Sequence, residues 1–393
     1  MIPITKAIFD ESDFAIIQEP LKSGWVVQGK YVAEFEAGFA EKTRARHAAA
    51  TSSCTTGLHI AVAALGLKPD DEVLVPAFTW VATPNCVEYM GARPVFVDVD
   101  LRTFNIDVDQ IERHITPRTR GIIPVHLFGL SADMGPIMEI ARRHNLWVVE
   151  DAACGFDAWY QGQHVGTFGE FGAFSFHPRK AITTGEGGML TTNRADLDVA
   201  ARTLRDHGAS RSDLERHEQK HSFLLAEYRR VGYNYRMTDI QGALGVSQLR
   251  KSTWIQSERR AAAERYDTLL AGLEWLQLPF HHADYVHGYQ SYVCLFQPEE
   301  PRLATCEGVS DRRNAIMAAL EANGIITRQG THAPPHLHYF ADTYGIRPAD
   351  YPNAFLAERL TITLPLFAGM TADESNEVAA QLQAEFASTV ANA

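Results

Sequence analysis

The sequence predicts an α/β protein: a mainly parallel sheet flanked by helices, followed by a smaller C-terminal α+β domain. Three observations carry that expectation. Between about residues 45 and 190, short β-rich runs alternate with amphipathic stretches, the pattern of a sheet covered by helices. The runs are apolar at nearly every position, so both faces of each strand are expected to be buried, as in parallel sheets. After about residue 275 the alternation gives way to separate strand-like and helix-like segments.

Taken in order, EVLVP (72–76), RPVFVDV (93–99), RGIIPVHLFG (120–129), LWVVED (146–151) and FGAFSF (171–176) read as strands. Between them, TTGLHIAVAALGL carries apolar residues at helical spacing and stops at Gly66, while DMGPIMEIARRH begins after Asp133. Residues 207 to 232 are polar without a clear period and are expected to run over the surface. Thr238 with Gln241 makes a capping box, which starts one long helix over residues 239–273 that bridges two domains. YQSYVCLF and LTITLPLF read as strands of the smaller domain, and residues 310–323 and 371–387 as its helices. The expected division is 1–250 for the large domain and 251–393 for the small one.

Composition excludes several classes. With 393 residues, 46% hydrophobic and 21% charged, the chain is long enough for a sizeable core. A net charge of −12 without a clustered cationic stretch argues against nucleic acid as a partner. Cys54, Cys86, Cys154, Cys294 and Cys306 are widely spaced and show no C-x-x-C pair, so neither a disulfide framework nor a metal site is expected. Reduced thiols fit a cytoplasmic location. The N-terminal stretch has acids where a signal peptide has a basic region, and no apolar run reaches the ~18 residues of a membrane span, so no membrane association is expected.

Chemistry is expected at the carboxyl ends of the strands, where open α/β sheets bind ligands. Three such ends occur in order. In ATSSCTTGLHIA a strand stops and a helix begins; its free N–H groups make a phosphate cradle beside Ser53, Cys54 and Thr55, although Ser before a helix is more often only a cap. LWVVEDAAC ends in Asp151, a carboxylate costly to bury unless a cation, such as a protonated ring nitrogen, meets it. FSFHPRKAITTGEGGML carries Ser175 on a strand, then Lys180, then a glycine-rich turn. Each feature alone has an ordinary structural explanation. Together they match the needs of pyridoxal 5′-phosphate: a held phosphate, a protonated ring nitrogen and a lysine to bind the aldehyde. Trp80, just beyond EVLVP, is suited to stacking on a flat ring.

These motifs resemble the DegT/DnrJ/EryC1 family of sugar-nucleotide aminotransferases, which have the fold-type-I, aspartate-aminotransferase architecture with a seven-stranded sheet. The likeness runs nearly end to end, through SGWVVQG, SSCTTGLHIAVAALGLKPDDEVLVPAFTWVATPN, PVFVDVD, IIPVHLFG, VVEDAAC, FGAFSFHPRKAITTGEGGML, GYNYRMTDIQGALG and LPLFAGMT. By position, the resemblance implies that Lys180 is the Schiff-base lysine and Asp151 the ring-nitrogen partner. It puts Trp80 over the ring and Ser175, with Ser53 to Thr55, at the phosphate. Asn234 falls where the neighbouring subunit completes the site, which implies a homodimer. Trp25 and Gly29 resemble the sugar-binding end, with Arg236, His287 and Arg328 as looser substrate contacts. Two departures stand out: Cys154 occupies the place where the commonest form carries Gln near the cofactor's phenolic oxygen, and Cys54 stands inside the phosphate loop.

The implied reaction moves an amino group from an amino acid, with L-glutamate the expected donor, to a nucleotide-linked keto-deoxysugar, for surface polysaccharide or a secondary metabolite. Ping-pong kinetics follow from its two halves. A dehydratase of the same family typically has His at the lysine position, so Lys180 favours transamination. Amination of an unactivated cyclic ketone, such as an inosose or an amino-hydroxybenzoate precursor, and a non-catalytic paralogue stay open as alternatives.

Overall fold

The computed structural model describes residues 1–210, 226–228 and 230–391; most of the polar stretch 207–232 therefore lies outside the described residues. Seven strands form the central sheet: β1 (His47–Thr51), β2 (Glu72–Pro76), β3 (Arg93–Val97), β4 (Thr119–Ile122), β5 (Trp147–Asp151), β6 (Phe171–Ser175) and β7 (Gly188–Thr192). Their spatial order is β1-β7-β6-β5-β4-β2-β3. All neighbours from β6 to β3 are parallel, and β7 runs antiparallel to both β6 and β1. The sheet is thus mainly parallel with one reversed strand, as expected. Every residue of β2 and β7 is buried, as helices on both faces require.

Helices α1 (Glu11–Ser23), α2 (Lys30–Thr43), α3 (Cys54–Ala64), α4 (Ala82–Glu88), α5 (Met134–His144) and α6 (Ala195–Arg205) belong to the part of the chain that supplies this sheet. Aromatic packing is concentrated where α2 meets β6: Phe39 lies edge-on to Phe174 at 4.9 Å and to Phe176 at 5.4 Å. A buried carboxylate, Glu36, is met there by Arg202 and Arg205 and also accepts the Ala50 N–H at 2.8 Å, so the charge does not go unpaired.

The long helix expected over 239–273 is two helices, α7 (Asp239–Arg250) and α8 (Ser252–Leu269). Its start is as read, with Thr238 and Gln241 completing the capping box. At the break, Lys251 Nζ meets Asp10 at 3.0 Å and the buried Asp13 of α1. A second sheet follows, of β8 (Leu276–Gln277), β9 (Tyr292–Phe296) and β10 (Thr361–Leu364), in that order and antiparallel. Helices α9 (Cys306–Ala322) and α10 (Ala372–Ala391) cover the expected helical stretches. Among the described residues no helix is long and apolar enough to cross a membrane.

Candidate active site

The carboxyl ends of β5 and β6 and the start of α3 converge. Asp151 is the last residue of β5 and is 3% exposed. Its carboxylate accepts the Thr83 hydroxyl at 2.7 Å and the Ala153 N–H at 3.1 Å. Thr83 lies on α4 and is itself bonded to Thr79 at 3.0 Å, so the loop after β2 is tied to the end of β5. Burial pushes the Asp151 carboxyl above the usual carboxylate range; the Thr83 and Ala153 bonds, and the fields of Lys180 and His126, pull the other way without overcoming it. A cationic N–H placed here would be favoured strongly, because it would offset that penalty.

Lys180 sits in the turn after β6, where its N–H bonds to the His177 carbonyl at 2.8 Å. The side chain is half-buried, and Nζ donates to Cys154 Sγ at 3.1 Å. Burial works against the ammonium charge, but Cys154 and Asp151 favour it, and the net effect holds Lys180 above its ordinary value. Cys154 is thus an acceptor for the lysine.

The phosphate-cradle region has both of the characters read from the sequence. Ser53 is the N-cap of α3: its hydroxyl accepts the Thr56 N–H at 3.1 Å, and Thr56 bonds back to the Ser53 N–H at 3.0 Å. The N–H groups of Cys54 and Thr55 belong to the first turn, which a helix's own ladder leaves unpaired. The Cys54 side chain points down into the sheet, with Sγ on the Ala173 carbonyl at 3.4 Å, and burial pushes its thiol well up, so it stays protonated. It does not obstruct the helix terminus. The glycine-rich turn has a definite role here: a Cβ on Gly188 would lie 2.4 Å from the Ser53 carbonyl carbon and 2.6 Å from the Cys54 nitrogen, so only glycine lets β7 pass behind the loop. The Glu186 carbonyl fixes the turn, accepting Thr184 Oγ1 at 2.7 Å and Gln241 Nε2 at 2.6 Å, while its side chain is exposed.

Ser175 ends β6, with its hydroxyl 3.4 Å from the His177 nitrogen. Trp80 is 59% exposed just beyond β2, an unusual position for an indole, and its ring meets His332 at 5.7 Å. Asn234 is exposed. Tyr233 and Tyr235 on either side of it stack at 4.9 Å, and Tyr235 accepts the Ser52 N–H at 2.8 Å, so the segment is anchored beside the phosphate loop while Asn234 faces outward. Trp25, Gly29 and the start of α7 form one cluster: a Cβ on Gly29 would lie 2.6 Å from the Trp25 ring and 2.8 Å from Asp239 Oδ2.

The looser candidates are engaged differently. Arg236 is paired with Asp206 at 2.6 Å. Arg328 presents an exposed side chain from a backbone bridge to Thr363. His287 is buried, stacked on Tyr289 at 4.1 Å, and its Nδ1 accepts the Tyr289 N–H at 2.8 Å; burial lowers it to about 3. Packing, not substrate contact, is what its surroundings provide for. Sequence reading missed Thr83 and His332, which come together with Asp151 and Trp80 only through the fold.

A buried carboxylate short of a cation, a lysine beside it, a helix terminus with free N–H groups and an exposed indole fit pyridoxal phosphate in chemistry and in kind. Comparison with known proteins agrees. Residues 8–383 match the DegT/DnrJ/EryC1/StrS aminotransferase family. The chain is 39% identical over 383 residues to GDP-perosamine synthase of Caulobacter vibrioides, covering 95% of this chain and 94% of that one. It is 36% identical over 378 residues to the spore coat polysaccharide biosynthesis protein SpsC of Bacillus subtilis, covering 96% and 95%. Among solved structures it is similar to Spr1654 of Streptococcus pneumoniae in its PMP form, with a TM-score of 0.91 and 26% identity over 99% of this chain and 100% of that one. The chain belongs to the DegT/DnrJ/EryC1/StrS aminotransferase family and is a pyridoxal-phosphate-dependent transaminase.

Proposed function

We propose that the protein transfers the amino group of an amino acid, with L-glutamate as donor, to the keto group of a nucleotide-linked deoxysugar. The observation that carries the reading is Lys180 Nζ held at the carboxyl end of the sheet, with the buried Asp151 carboxylate acting on its charge. The relatives named above point to amino-sugar chemistry in polysaccharide synthesis.

When bound, pyridoxal phosphate supplies an electrophilic carbon and a ring that takes up the electron pair released at the donor's α-carbon. Asp151 holds a proton on the ring nitrogen, and the Thr83 and Ala153 bonds fix the orientation of its carboxylate. Lys180 Nζ, as free amine, would accept the α-proton of the donor and as ammonium deliver it to the cofactor's C4′; in the second half it would take a proton from C4′ and deliver it to the sugar carbon that receives the nitrogen. The first turn of α3 holds the phosphate dianion through the Cys54 and Thr55 N–H groups, with Ser175 beside it. Trp80 presents its indole face to the ring. Asn234, facing outward, serves the site of a second copy in a homodimer, and Trp25 with Gly29 borders the sugar.

Incubation of the purified protein with L-glutamate and either a nucleotide-linked keto-deoxysugar or an inosose tests the proposal. The expected result is 2-oxoglutarate release over many turnovers with the nucleotide-linked ketone, and no more than the single equivalent of the first half-reaction with the inosose. Turnover of the inosose alone would overturn the acceptor assignment.

A further inference from the structure

A cleft of about 470 Å³ lies away from Lys180. It is lined by the first residues of β2 and β3 and the turn before β4, so it opens at the amino ends of the strands, whereas Asp151 and Trp80 lie at the carboxyl ends. A five-residue strand separates the two edges by about 16 Å.

In a chain of net charge −12, this cleft gathers Arg93, Arg113 and Arg118. Arg118 is committed to the buried Glu72, donating through Nε at 3.0 Å. Neither Arg93 nor Arg113 has a carboxylate within ion-pair distance among the described residues. Burial pushes the Tyr351 hydroxyl up, while the fields of both of these guanidinium groups act to lower it, so all three groups converge on one region. Burial together with Arg113 lowers His114, which works against its carrying a charge.

The same cleft has an aromatic wall. Tyr344 lies beneath the Arg93 guanidinium at 4.9 Å, and its hydroxyl is fixed on Glu88 Oε1 at 2.5 Å. These two guanidinium groups, of which Arg113 also donates to Gln110 Oε1 at 2.5 Å, have no carboxylate partner and suit a phosphate group, which arginine grips with paired N–H donors, and a held ring beside them suits a flat heterocycle. The volume falls within the range of small-molecule sites. We propose that this cleft binds a nucleoside diphosphate, with Arg93 and Arg113 on the phosphates and Tyr344 against the base, as a site separate from the transamination centre. The inference stands independently of the roles given to Lys180 and Asp151.

Photolabelling of the cofactor-loaded enzyme with 8-azido-ADP, followed by peptide mapping, tests it. The expected result is saturable labelling of peptides within residues 338–351 or 93–118, displaced by ADP at concentrations at least tenfold below those of pyrophosphate. The Arg93→Gln/Arg113→Gln double variant should lose that labelling at least tenfold while keeping its melting temperature and transaminase activity. Tyr344→Leu, which keeps both charges, should lose the preference for ADP over pyrophosphate. Labelling confined to peptides around Trp80 and Lys180, or equal labelling of the double variant, would overturn the site. Displacement by pyrophosphate as efficient as by ADP would overturn the role of the ring.

Discussion

Lys180 Nζ donates a hydrogen bond to Cys154 Sγ across 3.1 Å. That contact ties the lysine to the turn after β5, the strand that carries Asp151, and it helps hold the ammonium above its ordinary value against the opposing effect of burial. A carboxamide at this position would offer a stronger acceptor, so the thiol is a workable but weaker substitute.

Removing the sulfur should therefore lower the pH at which Lys180 becomes a free amine. The rate of Lys180 modification by trinitrobenzenesulfonate in cofactor-free protein, followed against pH, is expected to shift to lower pH in Cys154→Ala and back upward in Cys154→Gln. Coincident curves for wild type and Cys154→Ala would remove the sulfur from this role.

Asp151 gives a stability prediction of opposite sense to an ordinary ion pair. Its folded-state value is raised, so its contribution to the cofactor-free protein is most favourable below about pH 3.9 and is lost as pH rises through the folded-state value. Asp151→Asn should melt roughly 1–3 °C above wild type at pH 7 without cofactor. Excess pyridoxal phosphate should reverse that ranking, because only the wild type offers a carboxylate to the ring nitrogen. Calorimetric melting of both proteins, with and without cofactor, measures this.

Gly188→Ala forces a Cβ against the backbone of Ser53 and Cys54, atoms that move only if the loop moves. The expected cost is about 1–3 kcal/mol of stability and a cofactor dissociation constant at least about tenfold higher, since the start of α3 is displaced. Gly185→Ala is the control: its φ of 81° brings backbone strain, but nothing lies within 4 Å of the added carbon. Titration by absorbance should show near-normal cofactor binding in that variant.

His287 predicts a pH effect without a substrate effect. Held at about 3 in the folded protein and about 6.5 when unfolded, it stays neutral in the core, and stability is lost as pH falls from about 6.5 toward 3. The stability gap between wild type and His287→Gln in urea unfolding should shrink between pH 7 and pH 4.5. KM for the sugar acceptor should stay within about twofold; a rise beyond tenfold would make His287 a substrate contact after all.

The parallel strands were legible because burial on both faces leaves an unbroken apolar run, as in EVLVP and LWVVED. The break between α7 and α8 was not, since neither glycine nor proline marks it and the acids that Lys251 meets there, Asp10 and Asp13, lie more than 230 residues away. Asp151 was legible as the end of a readable strand, and Trp80 and Lys180 because each stands a few residues past one. Thr83 and His332 were hidden, as their partners lie 68 and 252 residues away in the chain. The roles of Gly188 and of the Glu186 carbonyl required the backbone of Ser53 and the side chain of Gln241 to be seen beside them.

Borohydride reduction of the yellow, cofactor-loaded enzyme, followed by peptide mapping, tests the assignment of Lys180 most directly. A single cofactor-sized mass increase on the peptide carrying Lys180, absent from Lys180→Ala, is the predicted result. The same mass on another lysine, or on none, would contradict it.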